Sequence, residues 1–232
     1  MHEFFGNTTT DANSTYDTLR AGGTTCSKLE DTAAYWIPTV SWTDSSGTTG
    51  PIKATQTFFY YKLGGKSSKI DVNPHPAGLK IVTVQGHNVQ WRCANDDWKS
   101  SPPQKCDNGK LGVRIKFPDC LQVDANGQPL LDSADHRSHM VDSVKPANSA
   151  VKQCPSTHPY PVPMLQTNFQ FAIPPTTGEP TLSTENNTGK YSTMHADFFN
   201  AWDQQKLEDL VDRCINAGPF TASNPKPADC GV

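Results

Sequence analysis

Gly112-Val113-Arg114-Ile115-Lys116-Phe117-Pro118-Asp119 alternates apolar and basic side chains along its first six residues. Successive side chains of an extended chain point to opposite faces, so Val113, Ile115 and Phe117 line one face and Arg114 and Lys116 the other. This is the pattern of a strand half-buried in a sheet. Asn168-Phe169-Gln170-Phe171-Ala172-Ile173-Pro174 repeats it, with Phe169, Phe171 and Ile173 on the apolar side. Phe58–Leu63, Leu79–Val84 and Val89–Cys93 add further candidates, rich in aromatic and β-branched residues. Gly64-Gly65, Asn73-Pro74 and Asn126-Gly127 supply turn chemistry between them. One stretch, from about Phe198 to Asn216, reads as helix. Its Leu207, Leu210, Val211 and Cys214 keep helical spacing, Asp209 and Arg213 can pair one turn apart, and Gly218-Pro219 stops it. The expected fold is mainly β: a β-sandwich or jelly-roll-like core, one main C-terminal helix, and long disulfide-tied loops.

The 232 residues carry a formal net charge of −3, with 10 Phe, 5 Trp and 6 Tyr, enough aromatic bulk at low charge to argue against disorder. No apolar run approaches the length of a membrane span, and no basic block suggests a nucleic-acid partner. No linker composition interrupts the chain, so residues 1–232 are read as a single domain, expected to work as a monomer. The P-loop, dinucleotide and G-x-S-x-G signatures are absent. A copper brace needs a histidine at the amino terminus, whereas His2 follows Met1.

Seven cysteines occur without any C-x-x-C spacing. Scattered cysteines in a chain of low charge predict an extracellular, disulfide-bonded protein. Sequons at Asn7, Asn13 and Asn186 are compatible with a secreted glycoprotein. Local pairing gives Cys93–Cys106, Cys120–Cys154 and Cys214–Cys230, the first two tying down the loops 94–110 and 124–160. Cys26 is left over. Its partner is expected upstream of Met1, since the chain opens on Met1-His2-Glu3-Phe4-Phe5 as though inside a motif; the alternative is a buried thiol packing as a small apolar residue.

Histidines cluster with acids in three segments: His2-Glu3, Asp135-His136 with His139, and His195 with Asp197. The expectation is that His2, Asp135, His136, His139, His195 and Asp197 line one cleft. Asp135 and Asp197 are the candidate acid/base or nucleophile pair, with Glu3 a further catalytic candidate, at a separation of roughly 5–10 Å for a glycosidase. His2, His136, His139 and His195 would bind substrate or hold a divalent metal. Asp197 can equally be read as the N-cap of the helix, and the 135–139 segment as a hydrogen-bonded polar loop. Trp42, Trp98 and Tyr160 are the candidate exposed aromatics for stacking on sugar rings, whereas Trp36, Trp91 and Trp202 are read as core. His75 and His87 are read as structural, and His158 as fixing loop geometry.

These motifs, in order, resemble the DUF1996 family, secreted proteins of fungi and actinobacteria. The resemblance rests above all on Leu131-Asp132-Ser133-Ala134-Asp135-His136-Arg137-Ser138-His139-Met140, Cys154-Pro155-Ser156-Thr157-His158-Pro159 and His195-Ala196-Asp197-Phe198. Ala34-Tyr35-Trp36-Ile37-Pro38, Trp91-Arg92-Cys93 and Phe117-Pro118-Asp119-Cys120 add to it. The family's motif ahead of the Phe-Phe pair resembles His-x-His-Asp/Glu, of which this chain carries His2 and Glu3. Fungal relatives carry wall-binding or cellulose-binding modules, which implies a polysaccharide or cell-wall glycan as partner. The expectation is a secreted polysaccharide hydrolase. Its rivals are a non-catalytic carbohydrate-binding or wall-associated protein, and a metal-dependent phosphodiesterase or nuclease, which the acidic net charge disfavours.

Overall fold

Alternation along the strands decides how two antiparallel sheets face each other in the computed structural model, which describes residues 1–232 except 67–69, 85–87, 175–176, 184–190, 192 and 232. The strands run β1 (His2–Gly6), β2 (Ala34–Pro38), β3 (Val40–Thr43), β4 (Thr49–Pro51) and β5 (Ala54–Lys62). The middle of the chain adds β6 (Lys80–Val84), β7 (Val89–Cys93), β8 (Lys110–Lys116), β9 (Cys120–Leu121) and β10 (Met140–Val141). Last come β11 (Tyr160–Pro161), β12 (Met164–Ala172), β13 (Glu179–Leu182) and β14 (His195–Phe199). His87 and Asn186 lie outside the described residues.

One main sheet has the order β1-β2-β14-β6 and the other β5-β12-β8-β7; two smaller three-stranded sheets have the orders β13-β3-β4 and β10-β9-β11. The inner faces meet through rings. Tyr35 of β2 stacks on Phe59 of β5 with centroids 3.9 Å apart, and Phe5 of β1 lies 5.1 Å from Phe169 of β12. Val113, Ile115, Phe117, Phe169 and Phe171 are buried, while Arg114 and Lys116 point outward, as the alternation requires. The result is a mainly β, sandwich-like core.

The helix begins later than its periodicity suggests. Residues 195–199 are the strand β14, and α2 spans Gln204–Val211, continuing as a π turn over Asp212–Asn216. Phe198 and Phe199 fall on opposite faces of β14, a period of two that sits directly ahead of a period of 3.6. The N-cap is therefore Asp203, whose carboxylate accepts from the Lys206 N–H (3.0 Å), and not Asp197. Leu207, Leu210 and Val211 bury into the main core, and Arg213 forms the expected pair with Asp209. A short helix α1 (Tyr16–Arg20), closed by a capping box at Thr15, lays Leu19 against Ala34 and Phe199 on the outer face of the first sheet.

Disulfides join Cys93 to Cys106, Cys120 to Cys154 and Cys214 to Cys230. Cys26 is a free thiol, half-buried beside Asp31, where burial and the neighbouring carboxylate push it up to about 12. Asp31 opens a buried relay: the Trp202 indole N–H donates to the Tyr61 hydroxyl (2.9 Å), which lies 2.8 Å from that of Tyr35, which donates to Asp31 (2.9 Å). Burial holds the Asp31 carboxyl near 7. Asn7, read as a glycosylation acceptor, is buried, and its amide donates to the Leu19 carbonyl, so it is not free to carry a glycan. Among the described residues no helix is long and apolar enough to cross a membrane.

Candidate metal centre

Asp197 sits in mid-strand on β14, paired with Trp36 of β2 on one side and Val82 of β6 on the other. Tyr35 and Phe198 turn inward, so Trp36 and Asp197 turn outward. His195, two residues before Asp197, shares that face. His2 and Phe4 of β1 share it as well, because Phe4 pairs with Trp36 and His2 with Pro38. Two histidines 193 residues apart in the chain thus gather beside one carboxylate.

The distances are short. His2 Nε2 lies 3.2 Å from His195 Nε2, and His195 Nε2 lies 3.4 Å from Asp197 Oδ2. One donor atom from each of the three side chains can be chosen so that all lie within 4.8 Å of one another. His195 Nδ1 is 2.8 Å from the Thr193 carbonyl, so it carries the proton and the Nε2 lone pair is turned into the cluster. Asp197 Oδ2 is buried and has no hydrogen-bond partner; its contact with His195 Nε2 is close but lacks hydrogen-bond geometry. Burial raises the Asp197 carboxyl to about 7, against a smaller downward pull from His136. Burial also lowers the His2 imidazole, and the His195 ring adds to that.

A cleft of about 220 Å³ opens over Asp197. Trp36, Phe199, Thr10, Asp11, Ser14 and His136 are among the residues that line it. Half-exposed Phe4 stacks on Trp36 with centroids 5.6 Å apart, extending an aromatic edge beside the cluster. Trp36 therefore lies outside the main core that its residue type suggested and packs, partly buried, against the small outer cluster of Leu19, Ala34 and Phe199; the alternation Tyr35-in, Trp36-out, Ile37-in carried the signal.

The 131–139 segment docks along the free edge of β6. The Lys80 N–H donates to the Leu131 carbonyl (2.9 Å) and the Val82 N–H to the His136 carbonyl (2.8 Å). Within it, Asp135 holds its own turn, accepting from Ser138 N (2.8 Å), the Ser133 hydroxyl (2.8 Å) and Arg137 N (3.1 Å). These bonds hold the exposed carboxyl well below the usual range, which unsuits it for work as a general acid. His136 hydrogen-bonds Asp132 (2.6 Å). His139 is sealed inside, 2.8 Å from the Ser133 hydroxyl, with burial lowering its imidazole. His158 clasps the segment from outside at the Ser138 carbonyl (3.1 Å).

Of the sequence candidates, the structure thus joins His2, His195 and Asp197, with His136 across the cleft. Glu3 falls on the opposite face of β1, where it accepts from the Ala54 N–H (3.2 Å) and burial raises its carboxyl. Trp42 is buried, so it cannot stack on a sugar; it lies in the β13-β3-β4 sheet. Trp98 lies on the outer face of the other main sheet, and half-buried Tyr160 pairs with Leu121. A buried Lys66–Asp119 ion pair, which also takes the Ser143 N–H and hydroxyl, was not evident from the sequence; it braces the chain beside Cys120–Cys154.

The family model described as DUF1996, a domain of unknown function, matches residues 1–202. Neither a curated protein nor a solved structure matches the chain.

Proposed function

The chain belongs to the DUF1996 family, and we propose that it is a secreted hydrolase acting on a polysaccharide with a divalent metal ion held by His2, His195 and Asp197. The observation that carries this reading is the grouping of His2, His195 and Asp197, one donor atom from each lying within 4.8 Å of the others, beside a buried carboxylate oxygen that no protein donor satisfies. Tetrahedral ligands at zinc-like bond lengths stand about 3.3–3.4 Å apart, and the contacts of 3.2 and 3.4 Å match that spacing. The Thr193 carbonyl fixes the His195 tautomer that a metal ligand needs. An ion bound there supplies a Lewis acid that polarises a substrate oxygen.

The chain's own residues do the rest. Asp197 anchors the centre from the middle of a sheet, where strands on both sides hold its backbone. Trp36 and Phe4 offer ring faces to a sugar, and His136 faces Asp197 across the cleft as a hydrogen-bonding group. Three disulfides support an oxidising compartment, hence secretion.

The test is calorimetry with zinc on chelator-stripped protein, paired with assays for released reducing ends and acyl groups on a panel of polysaccharides. One ion per chain at micromolar affinity or tighter is expected, lost in His195→Ala and Asp197→Asn, with turnover that needs the ion. Absence of stoichiometric binding, or turnover indifferent to chelation, overturns the reading. Ion and glycan binding without turnover identifies the non-catalytic rival.

A further inference from the structure

The outer face of β5-β12-β8-β7 is built from side chains of a different kind. None of these four strands contains Asp or Glu, although the whole chain is acidic at −3. Lys62, Arg92, Arg114 and Lys116 project from it, and among the described residues none of the four forms an ion pair. Amides hold two of them instead: Lys62 donates to Gln166 (3.2 Å) and Arg114 Nε to Gln90 (3.1 Å). A neutral acceptor positions a cation without cancelling its charge. Burial and the neighbouring cations lower Lys62, Arg114 and Lys116 alike, and Asp142 offsets this only at Lys116.

Aromatic rings interleave with the cations. The Arg92 and Arg114 guanidinium groups each lie 4.3 Å from the Trp98 ring centre, and Lys62 lies 4.8 Å from that of Tyr60. Gly112 makes room for this: a Cβ there would stand 3.2 Å from Arg92 Cγ and 3.5 Å from the Trp98 ring. A hollow of about 140 Å³ opens between Phe58, Tyr60 and Trp98.

We infer that this face binds an acidic polysaccharide carrying uronate carboxylates, at a site separate from the metal cluster. Planar guanidinium groups match carboxylates bidentately, the Asn168 and Gln170 amides that line the hollow suit hydroxyls, and ring faces suit sugars. The excess of unpaired cations selects the charged polymer over a neutral one.

Affinity electrophoresis and calorimetry with polygalacturonate test it, with fully methyl-esterified polygalacturonate, a sulfated glycan and oligo-dT as comparators. Binding to polygalacturonate is expected, with little to the esterified polymer and a decline as salt rises. Trp98→Ala and the double variant Arg92→Ala/Arg114→Ala should each weaken it about tenfold or more, and His195→Ala should leave it unchanged. Lys62→Gln, exposed and outside the Arg–Trp stack, should weaken it less while keeping the fold, which guards against loss by unfolding. Equal binding of the esterified polymer, tighter binding of oligo-dT or of the sulfated glycan, or indifference to all these variants overturns the inference. Loss of polygalacturonate binding in His195→Ala also overturns it, whereas failure of zinc binding bears only on the metal centre.

Discussion

Asp197 in the cleft and Asp31 in the seam between the sheets are both raised to about 7, and both by burial. Their surroundings differ. Asp31 accepts from the Tyr35 hydroxyl (2.9 Å) and the Ala33 N–H (3.1 Å), at the end of a relay that begins at Trp202. Asp197 Oδ2 has no donor, and what approaches it is a histidine nitrogen whose other side is already anchored. A raised carboxyl alone thus does not mark a reactive site. The unsatisfied acceptor at the mouth of a cleft does, because a buried oxygen without a partner costs about 1–3 kcal/mol unless something binds it.

The largest effect expected from this contrast is on stability. Asp31 has a folded pKa near 7 against an ordinary 3.8, so between those values the unfolded chain is ionised while the folded one keeps its proton. Folding takes up a proton there, and stability falls as pH rises through the window, by on the order of 4 kcal/mol in total, then levels off. Denaturant unfolding at stepped pH should show a slope in the parent that Asp31→Asn reduces, the remainder coming from Asp197, whose carboxyl is raised through the same window. An unchanged slope in the variant would place the titration elsewhere.

Asp197→Asn should act on ligand binding. Its zinc affinity should fall by more than the roughly 10–100-fold typical of losing a supporting hydrogen bond, while its melting temperature at pH 8 holds or rises, since the charge without a donor is gone. Calorimetry and thermal unfolding on one preparation separate the two readouts. A large stability loss would make Asp197 a structural residue like Asp31.

Zinc itself sharpens the contrast further. At about 100 times its dissociation constant it should stabilise the parent by about 2.7 kcal/mol, a rise in melting temperature that Asp31→Ala or Asp31→Asn keeps and Asp197→Asn loses. The smallest effect is expected at Cys26. Its thiol, pushed up to about 12, should resist Ellman's reagent in the folded protein and react after denaturation, and Cys26→Ala should shift stability by no more than about 1–2 kcal/mol. Rapid reaction in the native state would show that the Asp31 pocket opens.

What the sequence disclosed follows from how local each signal is. The strands around Val113 and Phe169 obey a two-residue period that burial enforces, and the three disulfides are near neighbours in sequence. The cluster was legible only as residue types. His2 and His195 lie 193 residues apart, and only the ladder β1-β2-β14 brings them together. Asp197 can be read equally as a helix start or as a site acid because Phe198 and Phe199 precede a true helical period. Asp135, in the densest His/Asp segment, turned out to spend its carboxylate on its own turn; hydrogen bonds to adjacent backbone N–H groups leave no mark on composition. Trp42 and Trp36 exchanged expected places because exposure depends on what covers a strand, which residue type does not encode.

The family match ends at Trp202, yet the chain's packing does not. Leu207, Leu210, Val211 and Ile215 lie beyond that point and belong to the main core, and Cys230, Asp229 and Lys28 clasp the tail to the π turn after α2 and to the N-terminal third of the chain. A protein truncated to the matched segment would present that bare apolar floor to solvent and is expected to aggregate on expression. The practical boundary for a soluble fragment lies after Cys230, and a protease nick between Cys214 and Cys230 should leave both pieces joined until a reductant is added.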